Sequence, residues 1–566
     1  MGLWNFYFLA KLYLYSRHFI RFYLLSNILF VLFLLLPVPK ERKFSTQMTI
    51  AKQGLSVIIA LGLLWKESWL PPPLEGFARL SEQGIPTGEY ILSFLMRYFI
   101  NGDMLIIVVI LTVSFAVGKG KALTPLTLTL IIMSPLIGVL NAEQKESTSK
   151  GLAPGAIIKE VRPLASLEAG EDKSASEKSA SSKLNDYITE AKQKNEREII
   201  WEKDPQKYAD AFFASESERR INFKKIDPPN EPFDIIFLHI CSLSWDDLKE
   251  VSLEWKSFFK EFHLVFTDFN TVTSYSGPSI LRLLKSTCGQ PRHEDVYEES
   301  EDSCYLFPNL EKVGFESYFA SNHDGKYGNF AAEAKEYGRL GTSLMPSQDL
   351  PAGEVMFDGS LIYDDYATLE KWRNLRENSA AKRAALYYNS VTLHEGSTWY
   401  PKKEEWWKID RKVVYSAFLT KLLKELRQFF DKLEASHRNV VIFFVSEHGM
   451  ALKGAKIQME GLRDIPLPQI TKGPLAIKFI GKGFKEKAIY QRIVSKPVSY
   501  MALSSVLASL FEYSPFGPEE YNSDYIINNV IYTAFVAENE GALVIKPDRK
   551  HLIFGKEKKW IELPVN

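Results

Sequence analysis

Cys241 directly follows the apolar run FDIIFLHI, and Glu447 and His448 directly follow another, VVIFFVS. A third run, ALYYNSV, leads within three residues to His394 in LHEG. A thiolate, a carboxylate and imidazoles are ligand types that Zn²⁺ takes. A fourth segment, NTVTSYSGPSILRLL over 270–284, places Ser276 ahead of Gly277 and Pro278. Proline suits the first turn of a helix, so Ser276 is predicted at a helix N-terminus. Unpaired N–H groups and the helix dipole there favour an anion such as a phosphoryl group. A serine hydroxyl is a poor nucleophile until a base or a metal lowers its pKa, which zinc does.

Each feature taken alone has a structural reading. A cysteine ending a strand is commonly a small buried hydrophobe, Glu-His-Gly can be a turn, and SYSGP can be a helix cap. His239 is predicted in mid-strand and is read as structural, as are His18, His263, His293, His437 and His551. His323, in NHDGKYG, is placed at the rim of the site.

The elements that must position these groups alternate. Buried strands are predicted at 233–240, 385–391, 440–446 and 475–481, from β-branched and aromatic runs bounded by turn residues. A helix is predicted over 415–435, with Phe418, Leu419, Leu422, Leu426, Phe429 and Leu433 on one face, leading into the 440–446 strand. This alternation predicts an α/β fold with a mainly parallel sheet, whose chemistry sits at the carboxyl ends of the strands. The segment VIKPDRKHLIFGKEKKWIEL reads as a closing β-hairpin.

The 566 residues amount to about three or four domains' worth of chain at ~150 residues each. Balanced counts of 69 Lys+Arg and 69 Asp+Glu exclude a strongly basic nucleic-acid binder and an acidic solvating tail. An apolar share of 46% and an aromatic share of 13% exclude wholesale disorder.

Residues 1–142 read as a transmembrane domain. The uncharged runs between Arg21 and Lys40 and between Lys121 and Glu143 approach the ~20 residues a span needs. Weaker spans are predicted at about 47–65, containing Lys52, and 99–118. The segment 2–15 is a fifth span or an interfacial helix. The alternative is that these are core helices of a soluble protein. Lys40, Arg42, Lys43, Lys119 and Lys121 place their loops in the cytoplasm, and the chain after 142 outside it. Residues 143–230 read as a flexible linker with some helix, from composition such as EDKSASEKSASSK. The catalytic domain is expected at 231–566.

Cys288 and Cys304 flank an acidic loop, sixteen positions apart. In the oxidising compartment that the topology predicts, they would form a disulfide worth about 3 kcal/mol. The alternative is three free thiols.

The order of these motifs resembles the alkaline phosphatase/sulfatase superfamily: a ligand after a strand, Ser at a helix start, then an acid-His-Gly after a late strand. More closely, ICSLSW, TSYSGP, CGQ, SEHGMALKG and GLRDIP resemble the BcsG family of cellulose-biosynthesis phosphoethanolamine transferases. The WNFYFL start and the membrane block fit too. The resemblance implies a one-zinc enzyme of the bacterial inner membrane, multi-pass, with its catalytic domain in the periplasm. Its donor would be phosphatidylethanolamine, its acceptor cellulose, its by-product diacylglycerol and its partner the cellulose synthase complex.

By motif match, Ser276 would be the nucleophile, and Cys241, Glu447, His448 and Ser276 would hold the zinc. Tyr275, His394 and Arg463 would line the site, with His394 protonating the leaving oxygen. Trp399, Tyr400, Trp406 and Trp407 could stack on a glucan, or simply pack. Relatives usually carry an acid at the position of Cys241 and Asp-His in place of Glu447-His448. HEGSTWYP lacks the second His of lipid A-type transferases, and Ile280 replaces the Arg of the sulfatase motif. The alternatives are transfer to another envelope glycan or to lipid A, a head-group hydrolase of the same fold, and an idle scaffold.

Overall fold

The computed structural model describes residues 4–16, 20, 22–37, 45–67, 124–133, 204–226 and 230–563. The last range has short interruptions at 252–253, 404–405, 407–408, 483, 485–490, 519–520 and 556–557. The chain divides into two units, 1–69 with 102–208, and 70–101 with 209–566. The span expected at 99–118 and most of the expected linker lie outside the described residues.

In the first unit the described helices are Trp4–Ser16, Leu24–Leu35, Ser45–Glu67 and Thr124–Ile132. They pack around Phe8, Leu12, Phe30, Val31, Ala60 and Ile131, while Leu25, Leu29, Ile58 and Leu61 face outwards. Buried Lys11 pairs with Glu67, and Asn27 bonds to both. Where the sequence suggests four or five spans, one helix among the described residues is long and apolar enough to cross a membrane: Gln47–Glu67. Its Lys52 is accommodated because the ammonium bonds to the carbonyls of Leu34 and Leu36. The run at 22–38 yields only a 12-residue helix, because Leu36 precedes Pro37 and is held extended at ψ 129°. Such a helix covers about 18 Å, short of the ~30 Å hydrocarbon core.

In the second unit the strands are β1 (Asp234–Ile240), β2 (Leu264–Asn270), β3 (Phe315–Ser321), β4 (Ala352–Val355), β5 (Leu361–Tyr363), β6 (Arg383–Ser390) and β7 (Thr398–Trp399). They continue with β8 (Val440–Ser446), β9 (Lys472–Ile480), β10 (Arg492–Val494), β11 (Val536–Asn539), β12 (Ala542–Ile545), β13 (Leu552–Phe554) and β14 (Trp560–Glu562). Seven form the central sheet in the order β10-β2-β9-β8-β1-β6-β3. All neighbours are parallel except β9, which runs against both β8 and β2. The sheet is therefore mixed rather than uniformly parallel. The connection from β8 to β9 carries the short helix Pro468–Thr471, and β9 returns alongside β8 in the opposite direction.

Every residue of β1 and β8 is buried, as a central strand covered on both faces requires. Ile235 and Phe237 of β1 enter one core, while Ile236, Leu238 and Ile240 enter the other. The helix Arg411–Ser436 buries the six residues expected of it against the second core. At the opposite end from the site, buried Asp234 takes both Arg376 (3.0 Å, twice) and Arg438 (3.0 Å). The expected hairpin is β13–β14, within a four-stranded antiparallel sheet that includes β11 and β12. Residues 209–226, inside the stretch read as linker, are built onto this unit: Glu216 accepts the Gln290 N–H (2.9 Å), and the Ile221 N–H meets the Thr287 carbonyl (2.8 Å).

Away from the strand ends, Glu354, Asp364 and Glu425 surround one ammonium, that of Lys421, at 2.9–3.7 Å. Burial, then the nearby Asp365 and Asp364, push the Glu354 carboxyl up to about 7 against the pull of Lys421. The folded chain therefore holds a proton there that the unfolded chain has already lost, so stability falls as pH rises from 4.5 through 7. Glu354→Gln is expected to remove this loss. Thermal unfolding of the detergent-solubilised chain should show the variant gaining about 2 kcal/mol on wild type between pH 5 and pH 8.

Candidate metal centre

Three strand ends meet at the site because of their register. Ile240 of β1 stands opposite Ser446 of β8 and Ser390 of β6, all running the same way. The Cys241 N–H donates to the Ser390 carbonyl and the Glu447 N–H to the Ile240 carbonyl, both at 2.9 Å. Cys241 and the Glu447–His448 pair thus leave the sheet side by side.

The loops leaving these strands are held in rarely populated backbone conformations. Ser242 (φ 55°), Val272 (φ 66°) and Ala451 (φ 58°) all lie in the left-handed region. For a β-branched residue such as Val272 this is costly. Asn270 opposes that cost by accepting the Val272 N–H (3.0 Å).

The side chains of Cys241, Glu447 and His448 offer donor atoms within 4.8 Å of one another, all buried. This is the one such group of three or more among the described residues. Ser276, at the start of the helix Ser276–Leu284, completes it: Oγ lies 3.2 Å from His448 Nε2 and 3.8 Å from Cys241 Sγ. His448 Nδ1 lies 3.0 Å from the Gly449 carbonyl and donates to it, which leaves the Nε2 lone pair facing Ser276. Glu447 Oε2 accepts the Asn389 amide (2.7 Å), while the buried Oε1 has no hydrogen-bond partner and lies 3.4 Å from His448 Nε2.

Burial would raise the Glu447 carboxyl, but the closeness of His448 and His239 holds it down at about 2. Burial and then the Arg463 charge lower His448, keeping it neutral. Burial and then Glu447 push the Cys241 thiol up. A charged carboxylate with an orphaned oxygen, a neutral imidazole with an inward lone pair, a thiol and a hydroxyl fit a tetrahedral zinc site. The raised thiol would couple metal uptake to proton release.

The lining residues follow. Arg463 Nη1 stands 2.9 Å from His448 Nδ1 and 3.3 Å from Nε2, and its guanidinium lies over the Tyr275 ring at 5.8 Å. The Tyr275 hydroxyl donates to Asp464 (2.9 Å). His394 is stacked on Phe357 and meets Tyr327 edge-on. Its Nδ1 donates to the Glu395 carbonyl (2.8 Å). Burial, then the Arg463 charge, lowers His394 to about 3. The ring is thereby kept neutral, and Nε2 is the nitrogen not engaged by the Glu395 carbonyl.

His323 is committed to its own loop, through Ser360 and the Gly325 N–H. In the aromatic group after His394, Trp406 is buried and the Lys403 ammonium covers the Trp399 ring at 3.7 Å, while Tyr400 is exposed. Trp407 lies outside the described residues. Cys288 and Cys304 are disulfide-bonded, with Cα atoms 4.9 Å apart. Cys241 is left as the free thiol.

Four positioning residues escaped the sequence reading. Asn389 orients Glu447, and an amide inside an otherwise apolar strand was its signal. Asp247, three residues after Ser244, accepts the N–H groups of Met450 and Leu452 and the Ser244 hydroxyl (2.7–2.9 Å), pinning the loop after His448. Gly449 is required there, since a Cβ would lie 2.7 Å from Ser244 Cβ. Asn539, at the end of β11, bonds to Thr273, Ser274 and the carbonyls of Arg463 and Asp464. One amide thus joins the Ser276 loop to the Arg463 loop. Ser279 donates to the Glu447 carbonyl (2.7 Å), from the helix that Ser276 begins.

This arrangement defines the class: an α/β protein with a buried cluster of mixed donor atoms at its strand ends, carried on the same chain as an apolar helical unit. The family profile for the BcsG N-terminal domain matches residues 4–137, and that for the cellulose biosynthesis protein BcsG C-terminal domain matches 189–560. The chain is 32% identical over 575 residues to the cellulose biosynthesis protein BcsG of Salmonella typhimurium (strain LT2), covering 99% of this chain and 96% of that one. It is 30% identical to the protein of that name from Escherichia coli K12, with the same coverage. The chain belongs to the BcsG family.

Among solved structures, it is similar to the integral membrane lipooligosaccharide phosphoethanolamine transferase A of Neisseria meningitidis, with TM-score 0.40, 14% identity, and 92% and 97% of the two chains covered. It is also similar to the zinc-complexed C-terminal periplasmic domain of EcEptC from Escherichia coli, with TM-score 0.41, 13% identity, and 61% and 96% covered. Both likenesses are low, and membership rests on the sequence matches.

Cys241→Ala is expected to weaken zinc binding by ~100-fold or more, and Asn389→Ala by ~10-fold. Competition against a chromophoric chelator measures both, and wild-type affinity in Cys241→Ala would remove the thiol from the ligand set.

Proposed function

We propose that the chain is a zinc-dependent phosphoethanolamine transferase. It takes the head group of phosphatidylethanolamine onto Ser276, releases diacylglycerol, and passes the head group to a glucose hydroxyl of cellulose. The observation that carries this reading is the convergence of Cys241, Glu447, His448 and the Ser276 hydroxyl at a helix N-terminus. Those four residues would hold one zinc ion, which when bound would make the hydroxyl more acidic and offset charge on the phosphoryl oxygens.

The rest of the chemistry falls to the chain. The N-terminus of Ser276–Leu284 and the Arg463 guanidinium face the phosphoryl oxygens with fixed positive charge. Tyr275 backs Arg463, and Asn539 keeps their two loops together. In each half-reaction the attacking hydroxyl loses a proton and the leaving oxygen gains one. Neutral His394, with Nδ1 occupied, carries that proton on Nε2.

Membership of a family named for cellulose biosynthesis supports the acceptor and a place beside the cellulose synthase complex. The apolar helices of 1–142 would anchor the chain in the bacterial inner membrane by several spans. The stretch read as a linker would tether the catalytic domain, 231–566, in the periplasm, with 209–226 packed onto that domain. The Cys288–Cys304 disulfide supports an oxidising compartment.

Incubation of the purified chain with phosphatidylethanolamine should add one phosphoethanolamine to the peptide containing Ser276, read by mass spectrometry, and Ser276→Ala should abolish it. An adduct that persists in the alanine variant would place the nucleophile elsewhere. Adding cello-oligosaccharides should move the label to the sugar; release to water alone would make the chain a hydrolase.

A further inference from the structure

The residue after the proposed nucleophile faces a carboxylate without a counterion. A Cβ built on Gly277 would lie 2.9 Å from Glu333 Oε2 and 3.3 Å from the Tyr297 hydroxyl. Glu333 belongs to the helix Phe330–Glu336, which packs against Ser276–Leu284. Among the described residues its carboxylate has no ion pair and accepts no N–H from the helix it faces, so it does not cap that helix. It is half-buried, and burial followed by the Glu336 charge raises its pKa.

A carboxylate beside a terminus that receives an anion is unfavourable, unless the ligand brings a cation with it. A phosphate linked through two carbons to an ammonium has that charge pattern. We infer that Glu333 receives the ammonium of the transferred head group and selects ethanolamine phosphodiesters over diesters of neutral alcohols. This rests on the reading of Ser276 as the attacking residue. Phosphate and ammonium are then held at opposite ends, the phosphate at Ser276 and Arg463 and the ammonium at Glu333. Gly277 leaves room between them, since any side chain there would fill the gap.

The test uses the full chain in detergent micelles with two lipids: phosphatidylethanolamine, and phosphatidylpropanol, in which a methyl replaces the ammonium. The readout is the rate of adduct formation on Ser276. Wild type should prefer the ethanolamine lipid by ~10- to 100-fold, the range of a charge-assisted hydrogen bond. Glu333→Gln should cut that preference at least tenfold, chiefly by raising the apparent KM for phosphatidylethanolamine, with the phosphatidylpropanol rate unchanged or higher. Glu333→Asp should retain part of the preference.

Equal loss on both lipids, with zinc content intact, would make Glu333 structural and overturn the inference. So would an unchanged preference in both variants. A wild type that forms no Ser276 adduct with either lipid would remove the reading beneath the inference, and the inference with it.

Discussion

The site depends on the parallel register of β1 between β6 and β8. With Ile240 level with both Ser390 and Ser446, Cys241 and Glu447 emerge at the same height on neighbouring strands. A shift of one residue would turn every side chain of β1 to the other face. It would carry Ile235 and Phe237 into the core built for Ile236 and Leu238. The packing that fixes the register is therefore the same packing that brings sulfur, carboxylate and imidazole together. The Asp234 ion pairs with Arg376 and Arg438 anchor the strand at its other end.

Beyond the strands, precision comes from polar clamps rather than from regular structure. Asp247 fixes the loop after His448, and Asn539 fixes the loops of Ser276 and Arg463. Asp247 brackets Ala451, and Asn270 accepts the Val272 N–H, holding both in conformations an isolated chain would leave. The donor atoms are thus set in place by the folded surroundings, which limits the rearrangement that metal or phosphate would demand.

Much of this was legible in the sequence, and the physical reason is local. A fully buried strand writes itself as an unbroken apolar run, so its polar terminators stand out, as Cys241 and Glu447–His448 did. Proline in a first helical turn marked Ser276. What the sequence hid was direction and partnership. The run at 475–481 looks the same whichever way it runs, and its antiparallel pairing with β8 left no mark on it. Asn389, Asp247, Asn539 and Glu333 have no spacing that announces their distant partners. The N-terminal runs showed apolar character but not where helices stop, and Pro37 shortened the most apolar of them. The ionisation of His394 depended on Phe357, Tyr327 and Arg463, which no local pattern links to it.

The clamp at Asn539 bears on how the molecule comes into being. Its amide partner Thr273 is made 266 positions earlier, so the loop carrying Ser276 waits for nearly all the remaining polypeptide. The sheet between them can assemble as each segment is synthesised, but the Ser276 loop gains its final bearings only after β11 docks. Completion of the site is in this sense a late event in biogenesis: a chain cut short before β11 keeps the strands of Cys241 and Glu447 and lacks the brace on the Ser276 loop.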